Sequence, residues 1–485
     1  MTKIGIFSLA AICSLMMLSS CSELFDISGN IANSNLDNIG ENSFYARNMS
    51  TGLYYKVDAE ILAEGSKCVI WAQKRSGVTK ELAREIAGKY DTVIRKKIVD
   101  EFSMENFTVL VKSEGKEYAF DDILDYANFL AGRDDKKLTV LLLDIKDDYK
   151  NKGEDSYVAG YFFGGNFYRK GNIGGGIYSN GRDMIYVDTD PGLKSDREQT
   201  YATFAHELQH LINYVTSLLV RNGSFMDTWV DEGLSSQAEY LYYESNPSDR
   251  TEWYSRDIRG TIAKGNNFFV WGNHAEEKLA ILDDYATVYL FFRWLYLQAY
   301  AQNKTGIFYQ IETSDSNDYR AVTEVAKIVN SEWGRWDALL MAWLAANYYP
   351  ESSFGYAGDS GLQKFITRKP IAGTSVSLYP GEGVYSVMRA PYTPGASGAN
   401  IRYAGLAGTL SGITAAPPYA GEVLLTFNAN TSNAASVKPE TGYLTGNPPP
   451  VSRSVGEGAQ AEKIKGPYVM DARDVLGRNG EYEFE

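Results

Sequence analysis

The first regular pattern of hydrophobic and polar positions is an alternation with a period of two. Every second residue from Val57 to Ala63 is apolar, and Gly65 then precedes a continuous apolar run that begins at Cys68. A period of two is typical of a half-buried strand, and a glycine between two such runs is typical of a turn. The pattern therefore predicts a hairpin with one buried face.

The pattern then changes to helical spacing, interrupted by short apolar runs. Apolar residues recur every three or four positions from about Lys80 to Phe102, which predicts a helix with one buried face. Leu138–Leu143 is almost continuously apolar and predicts a buried central strand, and Met184–Asp188 predicts another. These strands come before a second long helix, predicted from Ser195 to about Arg221.

The composition of the chain changes again near residue 360. Residues from about 196 to 346 are mostly helical in pattern and contain seven of the eight tryptophans, whereas eleven of the fourteen prolines lie beyond Ser360. We therefore predict an α+β fold with an N-terminal α/β region (43–135), a second domain (136–355) and a β-rich C-terminal module (360–485). Short strand-like pieces such as Gly421 to Phe427 support the last of these.

The N-terminus predicts export and lipid attachment. Residues 1–20 have the apolar core of a signal peptide, too short to span a bilayer, and end in small residues before Cys21, as in a bacterial lipobox. Residues 21–42 are polar and are predicted to form a flexible tether. We expect a protein of the bacterial cell envelope, anchored through Cys21 at the outer membrane or cell surface rather than at the inner membrane.

Charge and cysteine content narrow the function classes. A net charge of -14 without a basic run argues against nucleic-acid binding and against a polybasic membrane contact. After loss of the signal peptide and acylation of Cys21, Cys68 is the one remaining thiol, so the mature chain cannot form an intrachain disulfide. Its apolar surroundings predict a buried strand thiol, and a metal site in this chain cannot be built from thiolates.

The second long helix carries a pattern of metal-binding chemistry. Ser195 and Glu198 predict a capping box at its start. His206 and His210 are one turn apart, so both imidazoles can point at one ion, and Glu207 stands beside the first histidine. The chain has only three histidines, so this H-E-x-x-H spacing favours a zinc site over the alternative, a solvent-exposed helical face with two histidines.

Zinc requires a third protein ligand and an open position. The histidine extension of metzincins is missing, because Asn213 and Thr216 stand where that pattern has a glycine and a third histidine. The donor must then be a carboxylate further along the chain.

The segment Trp229–Ser235 resembles the W-x-x-E-G-x-[SA] segment of gluzincin zinc peptidases. Together with the histidine motif and the surrounding sequence from about 138 to 300, it is similar to the hyicolysin-like group, family thirty of the metallopeptidases. The resemblance implies a gluzincin catalytic core, which makes 136–355 the zinc peptidase catalytic domain, with one Zn²⁺ held by His206, His210 and Glu232 and with Glu207 as the catalytic residue. Ser236 stands where thermolysin-like enzymes have an aspartate that orients a histidine.

The predicted activity is hydrolysis of peptide bonds in proteins, with Glu207 as general base for the attacking water and endopeptidase cleavage preferred. Tyr285, or else His274, is the candidate for stabilising the oxyanion. One alternative is a surface adhesin or scaffold lipoprotein that binds zinc without turnover. Another is an aminopeptidase, although the Gly-x-Met-x-Asn strand often found in that class is missing. The acidic loop Asp144–Asp155 could bind calcium, but it lacks EF-hand spacing, and a solvated loop is expected.

Overall fold

The computed structural model describes most of the chain from residue 39 onward. The described residues are 36, 39–111, 115–147, 149, 157–221, 223–256, 268–271, 280–366, 368–371, 375–432, 437–444 and 482–484. The predicted signal peptide, Cys21 and most of the predicted tether lie outside them. In the part of the chain that is described, no helix combines the length and the apolar character needed to cross a membrane.

Helices and strands are mixed along the described residues. The strands are β1 (Ser43–Arg47), β2 (Tyr54–Glu64), β3 (Cys68–Gln73), β4 (Glu105–Val111), β5 (Lys116–Asp122), β6 (Leu138–Leu143), β7 (Gly160–Phe162), β8 (Gly171–Gly174), β9 (Ile177–Ser179), β10 (Met184–Asp188), β11 (Ser375–Leu378), β12 (Gly383–Val387), β13 (Ile401–Leu406), β14 (Val423–Asn428), β15 (Glu440–Tyr443) and β16 (Tyr482–Phe484). The helices are α1 (Lys80–Lys89), α2 (Arg95–Phe102), α3 (Ile123–Leu130), α4 (Arg197–Asn213), α5 (Thr228–Tyr243), α6 (Ser248–Arg256), α7 (Ala280–Tyr300), α8 (Ile307–Glu312), α9 (Tyr319–Val329), α10 (Trp336–Tyr348) and α11 (Ser360–Gln363). The predicted mixture of helix and sheet is confirmed, whereas the gluzincin core stays a prediction.

The chain divides into two compact units, and the division falls within helix α5. One unit consists of Met1–Phe225, Ala238–Asp249 and Met470–Glu485, and the other of Met226–Gln237 and Arg250–Val469. The domain boundaries drawn from the sequence remain predictions.

The first unit contains a six-stranded mixed sheet. Its strand order is β1-β2-β3-β6-β10-β7, in which β3, β6 and β10 are parallel and the other pairs are antiparallel. All residues of β6 are buried, as predicted for its continuous apolar run, because a parallel strand in the middle of a covered sheet has no solvent face. Helix α4 packs against β7 and β10 and so lies at one end of this sheet.

The predicted hairpin and first helix are both present, with one local correction. Strands β2 and β3 pair as a hairpin, but the register shifts between Ile61 and Ala63, and Ile61 is 49% exposed. The simple alternation was wrong for Ile61 because a bulge inserts an extra residue and changes the direction of its neighbours. Cys68 is fully buried, and burial raises the pKa of its thiol, in agreement with the predicted strand position. The helix predicted from Lys80 to Phe102 is formed by α1 and α2, which are joined by a π-helical turn.

The second unit has an aromatic core and a separate group of strands. Trp229 packs against Phe268, Phe291 and Trp336, which explains why the helical part of the sequence is rich in tryptophan. The C-terminal strands form a three-stranded antiparallel sheet, β12-β14-β13, and the pair β11-β15. They share a core of Leu378, Val384, Ile401, Tyr403, Tyr419, Leu424 and Leu444. The strand predicted at 421–427 is β14.

Candidate metal centre

Helix α4, which carries the histidine motif, begins at a different cap from the predicted one. The Asp196 carboxylate accepts a hydrogen bond of 3.0 Å from the backbone N–H of Gln199, and Asp196 has extended backbone angles. The predicted capping box is therefore wrong. Glu198 instead accepts a hydrogen bond of 2.6 Å from the Tyr242 hydroxyl of α5. Aspartate and serine are equally good caps, so the local sequence did not distinguish Asp196 from Ser195.

Helix α4 is buried on its polar face as well as on its apolar face. Every residue from Thr200 to Asn213 is buried, and the exposed fractions of His206, Glu207 and His210 are 0%, 0% and 5%. The two imidazole rings meet edge to face with their centroids 4.7 Å apart. The alternative of a solvent-exposed face with two histidines is thus excluded by the burial of both rings.

Helix α5 carries Glu232, and its sequence at this point is constrained by close packing. A Cβ atom added to Gly233 would lie 2.3 Å from Cδ2 of Phe292 in α7, so only glycine fits without a shift. Glu232 itself is fully buried. The glycine of the Glu-Gly pair therefore lets α5 approach α7 closely at the residue next to the predicted ligand.

The structure brings the three predicted ligands together. One nitrogen each of His206 and His210 and one carboxylate oxygen of Glu232 all lie within 4.8 Å of one another, an arrangement that could hold a metal ion. Two imidazoles and a carboxylate are a donor set that suits zinc. Burial of the Glu207 and Glu232 carboxylates is costly without compensating positive charge, which a divalent cation would supply. The residues present therefore fit the predicted ion, and their assignment as ligands remains a prediction.

One further side chain at this site was not found from the sequence. Oε1 of Glu239 lies 2.7 Å from Nδ1 of His206, and Glu239 is only 2% exposed. Ser236, which stands at the position of the thermolysin-like aspartate, is fully buried, and its hydroxyl makes no hydrogen bond to a described residue. The spacing along α5 could have indicated Glu239. It follows Glu232 by seven residues and so lies on the same side of the helix.

Strand β7 lies directly against the part of α4 that carries Glu207. A Cβ atom added to Gly160 would lie 2.7 Å from Cγ2 of Thr203, 2.9 Å from the carbonyl oxygen of Tyr186 and 3.3 Å from Cγ of Glu207. This close approach requires a residue without a side chain. Of the described strands, β7 is the last on its side of the sheet, and its Gly160 approaches Glu207.

Of the two candidates for oxyanion stabilisation, Tyr285 is among the described residues. Tyr285 is fully buried, with the ring of Trp271 edge-on at 5.1 Å and the Arg250 guanidinium 5.0 Å from its ring centroid. These contacts explain its burial but do not test a catalytic role. His274 lies outside the described residues.

The acidic loop is described only in part. Both carboxylate oxygens of Asp147 accept backbone hydrogen bonds, from Tyr149 at 2.9 Å and from Val158 at 2.7 Å, so this side chain connects two described residues of the segment. Asp188 accepts backbone hydrogen bonds from Ile145 and Gly192 in the same way, and burial raises its pKa to about 7. Residues 148 and 150–156 lie outside the described residues, and calcium binding stays untested.

A buried pair of histidines and a carboxylate, with a further glutamate in the same helical turn, defines a candidate mononuclear metal centre of the hydrolytic type. No family model matches the chain. The chain is similar to neutral metalloprotease ShpI of Staphylococcus hyicus, with 26% identity over 358 residues, covering 72% of this chain and 72% of that protein.

Proposed function

We propose that this chain is a zinc-dependent peptidase with one Zn²⁺ bound by His206, His210 and Glu232. The observation that carries the proposal is the convergence of these three buried donors beside Glu207. The similarity to a neutral metalloprotease supports a metallopeptidase in general. Protein or peptide substrates follow from the same similarity.

Glu207 is the residue to which we assign proton transfer. Its carboxylate takes a proton from the attacking water and passes it to the leaving amine, acting first as base and then as acid. When bound, zinc supplies a Lewis acid that activates the water and polarises the scissile carbonyl. Glu207 is fully buried, which strengthens its electrostatic interactions in the site. Tyr285 remains the candidate donor to the oxyanion.

The edge of β7 is the proposed place for the substrate backbone. An extended peptide can add to the edge of a sheet through main-chain hydrogen bonds. Gly160 brings this edge into contact with the Glu207 region, so a peptide paired there would pass the proposed base. Binding through the backbone along an edge does not require a free chain terminus, which favours an endopeptidase.

We also propose that the protein is a lipoprotein of the bacterial cell envelope, attached through Cys21. The support is the sequence pattern of residues 1–20 followed by cysteine. Attachment at the outer membrane or cell surface would give the peptidase access to extracytoplasmic proteins.

Metal analysis combined with a protease assay tests the proposed activity. The purified chain should contain one zinc ion and hydrolyse casein, and a zinc chelator should abolish hydrolysis until zinc is restored. Glu207→Gln should keep the zinc and lose about 10²- to 10⁴-fold in kcat/KM, the usual worth of general acid–base catalysis. Glu198→Gln, in the same helix, is the matched control and should retain activity.

Three results would overturn parts of this proposal. A chain that binds no zinc has no peptidase site of the proposed kind. A chain that binds one zinc ion but cleaves no protein would instead be a zinc-binding surface lipoprotein, such as an adhesin or scaffold. Full activity of Glu207→Gln would remove Glu207 from the mechanism.

A further inference from the structure

The carboxylate of Glu239 is buried against His206 and has no part in the steps described above. We propose that Glu239 is the positioning residue of the metal centre and holds His206 in the tautomer with the proton on Nδ1. This inference rests on the proposed metal site and assigns to Glu239 the task that thermolysin-like enzymes give to an aspartate at the Ser236 position.

The distance shows a hydrogen bond between the two side chains, and its direction follows from a neutral imidazole facing an ionised carboxylate. Neutral imidazole carries one proton, and an ionised carboxylate can only accept a hydrogen bond. With Oε1 of Glu239 2.7 Å from Nδ1, the proton belongs on Nδ1 of His206. Nε2 then has the lone pair that a metal requires. Since Glu239 is 2% exposed, water does not compete effectively for this hydrogen bond.

The register of helix α5 explains how one helix can supply both a ligand and the positioning group. Glu239 follows Glu232 by seven residues, which is two helical turns and roughly 10 Å along the axis, with both side chains on nearly the same face. Ser236 lies between them on this face, and its hydroxyl makes no hydrogen bond among the described residues. The carboxylate has therefore moved one turn further along the helix than in the thermolysin-like pattern.

The end of α5 that carries Glu239 is held by further contacts. Nζ of Lys97 in α2 donates to the carbonyl oxygens of Leu241 and Tyr242 at 3.0 and 3.3 Å, which satisfies two of the last four carbonyls of the helix. The Tyr242 hydroxyl donates to Glu198 of α4 at 2.6 Å. The Lys97 contacts fix the backbone next to Glu239, so the carboxylate is presented to the ring of His206 from a firmly held part of the helix.

Glu198 provides a matched control, because it also joins α4 to α5 through one carboxylate, in a hydrogen bond with Tyr242 rather than with a predicted ligand. The test uses the full chain and three variants: Glu239→Ala, Glu239→Gln and Glu198→Gln. Zinc affinity is measured by competition with a chelator, after circular dichroism has shown that each variant is folded. Glu239→Ala should bind zinc about 10- to 100-fold more weakly, the usual effect of losing such a partner. Glu239→Gln keeps an acceptor oxygen and should lose less.

The tautomer gives a second readout that does not depend on metal. The chain has only three histidines, so ¹⁵N NMR of the metal-free protein can assign His206 directly. Wild type and Glu198→Gln should show the proton on Nδ1, whereas Glu239→Ala should shift the ring toward the Nε2–H tautomer. If Glu239→Ala acted only through lost packing, it would weaken zinc binding without changing the tautomer of His206.

The outcomes separate this inference from the proposed function. If wild type binds no zinc, the metal site fails, while the NMR spectrum still decides whether Glu239 sets the tautomer. If wild type binds zinc and Glu239→Ala binds it equally well, the metal site stands and the positioning role is overturned. An equal loss of affinity in Glu198→Gln would also overturn it, because the effect would then come from the junction of the two helices.

Discussion

Replacing Gly160 by alanine would insert a methyl group between strand β7 and helix α4. The new Cβ would lie 2.7 Å from Cγ2 of Thr203 and 2.9 Å from the carbonyl oxygen of Tyr186. Both distances are shorter than real Cβ contacts, and the Tyr186 oxygen is backbone, so rotation of a side chain cannot relieve the second contact. Because Tyr186 belongs to β10, strand β7 must shift away from β10, and either β7 or α4 must also give way, by roughly 0.6–0.8 Å, to reach ordinary van der Waals separation.

The expected loss has two parts. Overpacking of this kind costs about 1–3 kcal/mol of stability. The same methyl group would lie 3.3 Å from Cγ of Glu207, so the shift would also displace the proposed base and the edge of β7 relative to each other. A displacement approaching 1 Å in a catalytic site can cost up to about 100-fold in rate. We therefore expect kcat/KM to fall by about 10- to 100-fold in protein that is still folded.

Urea denaturation and hydrolysis of a quenched fluorescent peptide, measured on the same zinc-loaded preparations, provide the assay. Gly88→Ala is the matched control, since nothing beyond the local backbone of its own helix lies within 4 Å of a Cβ at Gly88, an exposed position in α1. The control should be as active as wild type and slightly more stable, because alanine favours the helix. If Gly160→Ala retains wild-type stability and activity, the close contact between β7 and α4 is not present in solution.

Two further predictions concern a buried acid and the membrane anchor. Burial raises the pKa of Asp183 to about 8, above its value of about 3.9 in an unfolded chain, so the folded state retains a proton that the unfolded state has lost between these limits. The free energy of unfolding should therefore fall as pH rises from 5 to 7. Asp183→Asn mimics the protonated acid facing Asn128 and should remove up to about 1.4 kcal/mol of this loss per pH unit, as measured by urea denaturation. If the difference in unfolding free energy between wild type and variant does not change with pH, the burial argument is contradicted. Cys21→Ala should release the protein from the membrane fraction after cell lysis while leaving casein hydrolysis unchanged, and continued membrane attachment would exclude the lipid anchor.

Features that depend on neighbouring residues were predictable from the sequence. The histidines of α4 are one turn apart, so their shared face follows from the geometry of a single helix. The buried strand β6 followed from a continuous apolar run, and the position of Cys68 followed from the run in which it lies. Local pattern was less reliable at the ends and irregularities of elements, as the cap at Asp196 and the exposed Ile61 illustrate.

The tertiary structure alone decided which faces meet. Glu239 and His206 are 33 residues apart, and no periodicity within either helix specifies how α4 and α5 are rotated against each other. Gly160 contacts the Glu207 region for the same reason, because the position of β7 at the end of the sheet depends on strand order rather than on its own three residues. Sequence thus determined the candidate donors and the faces that carry them, whereas packing between distant elements determined their partners.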